Sequence, residues 1–220
     1  MEAVVFAAAV TDRWGIKIKE NETMTNEQYY ELIRPYEDAT QLMLMKLEIL
    51  NHNIYDRSNS EKRPVHHMQH RIKEKRSIEE KLDRLGMTDS VINAKDHLMD
   101  IGGIRVICYF KQEVYELVAS LKQQNDLIVI KEKDYMKHPK GNGYRSYHII
   151  FGVPLHTLDA MEYYPVEVQF RTLSMDFWSS MEHRICYKKD RADKEELAKQ
   201  LQALSDSLAL IEDELKDYVE

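Results

Sequence analysis

The chain has 220 residues, 31 of them Lys or Arg against 38 Asp or Glu, for a net charge of −7. With 43% apolar residues it can bury an ordinary core, and its acidic balance argues against a general nucleic-acid binder, so any anion site must be local. Two cysteines cannot build a disulfide framework, and no apolar run approaches the roughly 20 residues of a membrane span.

Residues 1–23 read as a flexible N-terminal extension. MEAVVFAAAV is apolar like a signal segment, but Glu2 stands where a basic residue belongs, and Met24 offers an alternative start. From Asn26 to Asn53 the positions Tyr29, Ile33, Tyr36, Met43, Leu47 and Leu50 give one stripe of a long helix, with Thr25 as N-cap and Pro35 an early flaw. Residues 59–65 form a turn or loop, and 66–73 are ambiguous. Ser77–Leu85 is helical, with Ser77 and Glu80 as a capping box and Gly86 as the stop. Ile101–Phe110 is a buried strand and Glu113–Gln124 a helix. Leu127–Lys131, Tyr147–Val153 and Tyr164–Thr172 are further strands. Met175–Tyr187 is a helix whose Met175, Phe177, Trp178 and Met181 read as core. A last helix carries Leu197, Leu201, Leu204, Leu208, Ile211 and Leu215 at three- and four-residue steps. Helices alternating with strands make an α/β sheet domain flanked by two amphipathic helices.

Charge is uneven. Residues 61–86 hold eight Lys/Arg against five Asp/Glu, residues 131–148 five against two, and residues 190–220 four against ten. Two basic segments in an acidic chain point to a specific polyanion site.

Four segments carry chemistry. In HRIKEKRS, Arg71 and Lys73 share one direction at a spacing of two; Ser77 offers a helix N-terminus, and Lys81 and Arg84 extend that face, a mixture suited to a triphosphate. Asp100 precedes the apolar strand and can hold Mg²⁺, Gly102 and Gly103 allow close backbone approach, and Arg105 needs an anion or a base to stack on. In KGNGYRSYH, Asn142-Gly143 is a turn, and Lys140, Tyr144, Arg145 and His148 crowd around it with a stacking face and phosphate donors. In VEVQFRT, alternation puts Glu167, Gln169 and Arg171 on one face. Glu167 opposite Asp100 is the minimum for metal-assisted phosphoryl transfer with a base for a hydroxyl.

The strings RIKEKRSIEEKL, DIGGIRVICYF, GNGYRSYH and VEVQFRTLSMDFWSSMEH, in this order, resemble the RelA/SpoT alarmone synthetases of the small, stand-alone kind, over about residues 26–190. The resemblance implies a nucleotidyltransferase-like domain with a mixed sheet of about five strands. It implies transfer of the β,γ-pyrophosphate of ATP to the 3′-oxygen of GDP or GTP, releasing AMP, with Mg²⁺ and without alarmone hydrolysis. By the same resemblance Arg71, Lys73, Ser77 and Lys81 hold the ATP phosphates, and Arg84 and Arg105 sandwich the adenine. Asp100 is the metal ligand. Lys140, Tyr144 and His148 serve the acceptor, with Tyr144 stacking on guanine. Glu167 activates the 3′-hydroxyl and assists the metal, and Gln169 lies beside it. Asp176 stands where certain relatives carry Asn, which leaves a guanine contact open. The catalytic domain spans 24–190 and a C-terminal helix, 191–220, assembles a homotetramer. A cytoplasmic location follows, with an allosteric alarmone or RNA left as a further partner and neither membrane nor DNA.

No P-loop, kinase motif set or Asp-x-Asp pair competes with this reading. The different-class alternative is a catalytically silent nucleotide- or RNA-binding regulator on the same scaffold, disfavoured by the intact Asp100 and Glu167. His66, His67 and His70 are better read as a basic surface cluster than a zinc site, and Cys108 as core.

Overall fold

The computed structural model describes residues 23–58, 63–158, 160–186 and 193–218; the expectations for residues 1–22 and for the helix end at Tyr187 lie outside them. The chain forms two compact units, one from Met1–Leu32 with Glu74–Leu98, the other from Ile33–Lys73 with Met99–Glu220.

The first unit holds the opening turns of α1 (Asn26–Ser58), then α2 (Lys75–Arg84) and α3 (Val91–His97). Thr25 caps α1 as expected: the Gln28 amide donates to Thr25 Oγ1 at 3.2 Å, and the Thr25 amide donates to Gln28 Oε1 at 2.8 Å. Helix α2 corrects the sequence reading. Its N-cap is Glu74, in extended conformation and without a side-chain cap bond, so Ser77 is inside the first turn and makes no capping box. The ion pairs Lys75–Glu79 and Arg76–Glu80, at 3.5 and 2.9 Å, favour helix before Ser77 and explain the earlier start. Gly86 ends the helix as expected, in a Schellman motif with Met87 N–H on the Leu82 carbonyl and Gly86 N–H on that of Asp83. Helix α3, capped by Ser90 Oγ accepting from the Asn93 amide, is too short to announce itself by periodicity.

In the second unit five strands form one mixed sheet: β1 (Val65–Ile72), β2 (Gly102–Cys108), β3 (Ile128–Asp134), β4 (Tyr147–His156) and β5 (Met161–Thr172), in the order β1-β2-β5-β4-β3. Only β2 and β5 run parallel. The ambiguous residues 66–73 are thus an edge strand, whose three histidines and mixed exposure conceal the period of two. Alternation sorts the rest. Ile104, Val106, Cys108, Ile149, Phe151, Val166, Val168 and Phe170 are buried on one face under Val114, Leu117 and Leu121 of α4 (Lys111–Lys122) and Ala39, Met43 and Leu47 of α1. Each buried Val, Leu, Ile, Met or Phe among them contributes about 1.5–3 kcal/mol. Gly102 belongs to that packing: a Cβ there would collide with Thr40 Oγ1 of α1, so of the glycine pair only Gly103 borders the open face.

That open face is polar by register. Arg71 pairs with Gly103, which pairs with Glu167; Gln69 pairs with Arg105, Arg105 with Gln169, and Gln169 with His148.

Helices α5 (Leu173–Cys186) and α6 (Lys194–Lys216) complete the unit. Met175 and Trp178 are core, but Phe177 and Met181 are not: they are 59% and 45% exposed, because α5 buries only the face carrying Met175, Trp178 and Ser179. On α6 the expected apolar stripe is split. Leu201, Ser205 and Glu212 face inward, with the Trp178 indole donating to the Leu201 carbonyl at 2.8 Å, while Leu204, Ile211 and Leu215 are exposed. Among the described residues no helix is long and apolar enough to cross a membrane.

Candidate active site

A cleft of about 230 Å³ opens on the polar face, lined by Arg71, Asp100, Gly103, Arg105, Glu167 and Gln169 together with Gln69, His70 and Ile104. The parallel β2–β5 pair creates it. Asp100 sits immediately before β2, and Glu167 lies on β5 opposite Gly103, so two carboxylates far apart in sequence border one space. Asp100 Oδ2 meets Lys73 Nζ at 3.0 Å, on a backbone pinned by the Lys73 amide donating to the Ile101 carbonyl at 2.8 Å.

Each oxygen of Glu167 takes one hydrogen bond, Oε1 from His148 Nδ1 at 3.3 Å and Oε2 from Gln169 Nε2 at 2.9 Å. Burial pushes this carboxyl up, as does the nearby Asp100, but the His148 and Gln169 bonds outweigh both and hold it below the usual range. Glu167 is therefore ionised at neutral pH and held in one orientation by two donors.

Arg71, Arg105 and Arg171 also gather at this face. Burial, then the charges of Arg171 and Arg71, push the Arg105 guanidinium down, while Asp176, with Oδ1 3.7 Å from Arg105 Nη1, opposes them. Such a cluster of like charges fits a polyphosphate.

Beside the cleft lies an aromatic and cationic group. Lys140 Nζ is 4.7 Å from the Tyr144 ring centroid and 4.9 Å from that of Tyr135, and the Arg171 guanidinium is 5.5 Å from the Tyr144 ring. Tyr144 Oη lies 2.7 Å from His148 Nε2, which joins this group to Glu167. The turn before Tyr144 rests on α6. Gly143 has φ 90°, and a Cβ there would lie 2.8 Å from Gln202 Cα and 2.9 Å from Ser205 Cβ. Arg145 turns away from the cleft to Asp206, at 2.6 Å, and Ser205.

Arg71, Lys73, Asp100, Arg105, Glu167, Gln169, Lys140, Tyr144 and His148 are thus brought together in the second unit. Ser77, Lys81 and Arg84 lie on α2 in the first unit, Arg84 exposed with its Nε donating to the Glu80 carbonyl at 3.1 Å. Asp176 accepts from Arg171 Nη1 at 2.9 Å. Sequence reasoning missed Arg171 and Tyr135 as site residues. The alternation that selected Glu167 and Gln169 also placed Arg171 on their face, whereas nothing in the sequence singled out Tyr135. His66 Nδ1 and His67 Nδ1 lie 2.7 Å apart and His70 Nε2 is 3.3 Å from Gln41 Nε2. Cys108 is buried, and burial raises its thiol pKa.

Set beside known proteins, the chain has clear likenesses. It is 45% identical over 125 residues to GTP pyrophosphokinase YwaC of Bacillus subtilis, a match covering 57% of this chain and 60% of that protein. It is 28% identical over 194 residues to GTP pyrophosphokinase YjbM of the same organism, covering 88% of this chain and 90% of that one. The crystal structure of small alarmone synthetase 1 from Bacillus subtilis bound to its product pppGpp superposes with a TM-score of 0.76 at 28% identity, over 88% of this chain and 97% of that one. Residues 70–192, which hold both carboxylates and the aromatic group, match the model of the region found in RelA and SpoT proteins, and the chain belongs to that family.

Proposed function

We propose that this chain is a GTP pyrophosphokinase that makes (p)ppGpp, transferring the β,γ-pyrophosphate of ATP to the 3′-oxygen of GDP or GTP and releasing AMP. The observation that carries the reading is the pair Asp100 and Glu167 lining one cleft on an arginine-bearing sheet face. The names of YwaC and YjbM support it.

Arg71, Lys73, Ser77 and Lys81 bind the ATP phosphates, and Arg84 and Arg105 take the adenine. Lys140, Tyr144, His148 and Gln169 serve the acceptor, with Tyr144 as the guanine platform. Lys140 already covers its ring and must move aside or be stacked over. Glu167, held in one pose by two donors, accepts the proton of the 3′-hydroxyl. Positioning that oxygen against the β-phosphorus while arginines and lysines balance charge supplies most of the acceleration.

A divalent cation fits. Mg²⁺ needs one or two carboxylates plus phosphate oxygens, and two carboxylates are what the cleft offers; among the described residues no group of three or more His, Cys, Asp or Glu side chains is placed to hold a metal ion. Asp100 and Glu167 would hold it, and bound there it would neutralise charge on the transferred group.

The reading extends to a cytoplasmic homotetramer, with residues 24–190 catalytic and the C-terminal helix an assembly element. Incubation with ATP, Mg²⁺ and GDP or GTP should yield AMP and a guanosine 3′-pyrophosphate by nucleotide chromatography. ADP as the sole adenine product would refute it, since that signals transfer of a single phosphoryl group.

A further inference from the structure

A continuous chain of polar contacts crosses the polar sheet face from α5 to the base. Arg171, only 6% exposed, donates from Nη1 to Asp176 Oδ1 at 2.9 Å and from Nη2 to Tyr144 Oη at 3.2 Å. Tyr144 Oη lies 2.7 Å from His148 Nε2, and His148 Nδ1 lies 3.3 Å from Glu167 Oε1. The two ends fix the direction of the outer bonds, and for a neutral His148 ring that of the Tyr144–His148 bond as well. A guanidinium can only donate, and a carboxylate can only accept. His148 must therefore present Nδ1–H to Glu167. A neutral imidazole then has Nε2 as an acceptor, and the one proton able to fill it is the Tyr144 hydroxyl's. Because Arg171 already donates to Tyr144 Oη, that hydroxyl is free to spend its own proton on His148.

We propose that Arg171, through Tyr144 and His148, is a positioning residue for Glu167, so that the ring that receives the guanine also sets the aim of the base that activates the acceptor. This rests on the role given to Glu167 above. Asp176 is then no base contact. It anchors Arg171, and Arg105 Nη1 stands 3.7 Å away as a second cation for the same carboxylate. The chain gives the Tyr144 hydroxyl a task separate from its ring. An acceptor that stacks well but perturbs the hydroxyl would bind without being activated.

Two measurements decide it. The first uses the nucleotide-free protein with ¹⁵N-labelled histidine, so it does not depend on any activity. In wild type the neutral His148 ring should carry its proton on Nδ1, and in Tyr144→Phe the Nε2 resonance should move because its donor is gone. The second separates kcat from KM for the guanine nucleotide. Tyr144→Phe should lower kcat about 10- to 100-fold, the usual effect of losing an orienting partner, with KM within about three-fold. Tyr144→Ala should also raise KM, since stacking is lost. Arg171→Met should reproduce the kcat loss, and Arg171→Lys, which keeps a donor, should recover part of it. Should the Met variant not fold, the Phe variant still decides. An Nε2-protonated His148 in wild type, or a Tyr144→Phe kcat within two-fold of wild type, overturns the proposal. Wild-type protein lacking pyrophosphate transfer while His148 shows the Nδ1–H form would instead remove the proposed reaction and leave the hydrogen-bond chain standing.

Discussion

Glu167 shows how much one side chain's role depends on neighbours that alternation places beside it. Gln169, two residues on, is on its face by strand geometry; His148 arrives from β4, one register step away, through pairing with Gln169. Glu167→Gln keeps the shape and removes the base, so kcat should fall by roughly 10²–10⁴ while ATP binding, followed by calorimetry, stays near wild type. Activity within a few-fold would take the base role from it. At this scale the sequence was informative wherever a polar residue interrupted an apolar alternation, as at Arg105 and Glu167. It was least informative about partners. That Arg171 bonds Tyr144 and Asp176, and that Arg145 leaves the site for Asp206, depends on side-chain direction after folding, which a string of residue types does not contain.

Among elements, the strands β2, β4 and β5 and the long helices were legible because their burial repeats at two or at three to four residues. Strand β1 was not, since an edge strand facing solvent needs no apolar period, and α3 is too short to display one. The start of α2 was misplaced at Ser77 because two ion pairs near the helix start outweighed a good capping residue. The Asn142-Gly143 turn is present as expected, and it is moulded on α6, with Ser205 Oγ donating to the Gly143 carbonyl at 2.6 Å. A side chain at Gly143 meets both a positive φ and the backbone of α6. Gly143→Ala should therefore cost about 2–5 kcal/mol in urea unfolding, from strain plus overpacking. A loss below about 0.5 kcal/mol would mean that the α6 contact is not tight in solution.

For the molecule as a whole, an acidic protein still gathers Arg71, Lys73, Arg105 and Arg171 at one sheet face. Leu204, 58% exposed, and Ile211 lie one heptad apart on α6, and Met45 and Ile49 are uncovered on α1, which supports burial against further copies of the chain. Light scattering at micromolar concentration should give the mass of a tetramer, and Leu204→Glu with Ile211→Glu should give a smaller folded species. A monomeric wild type would remove the assembly. The parallel pairing of β2 with β5 has one more consequence, in the order of events during synthesis. Parallel neighbours need a long crossover, and here it contains α4, β3 and β4. Asp100 leaves the ribosome early, yet no site exists around it until β5 has been made and has closed onto β2. A nascent or truncated chain ending before β5 has no carboxylate pair, so on the function proposed above the topology keeps unfinished copies from transferring pyrophosphate.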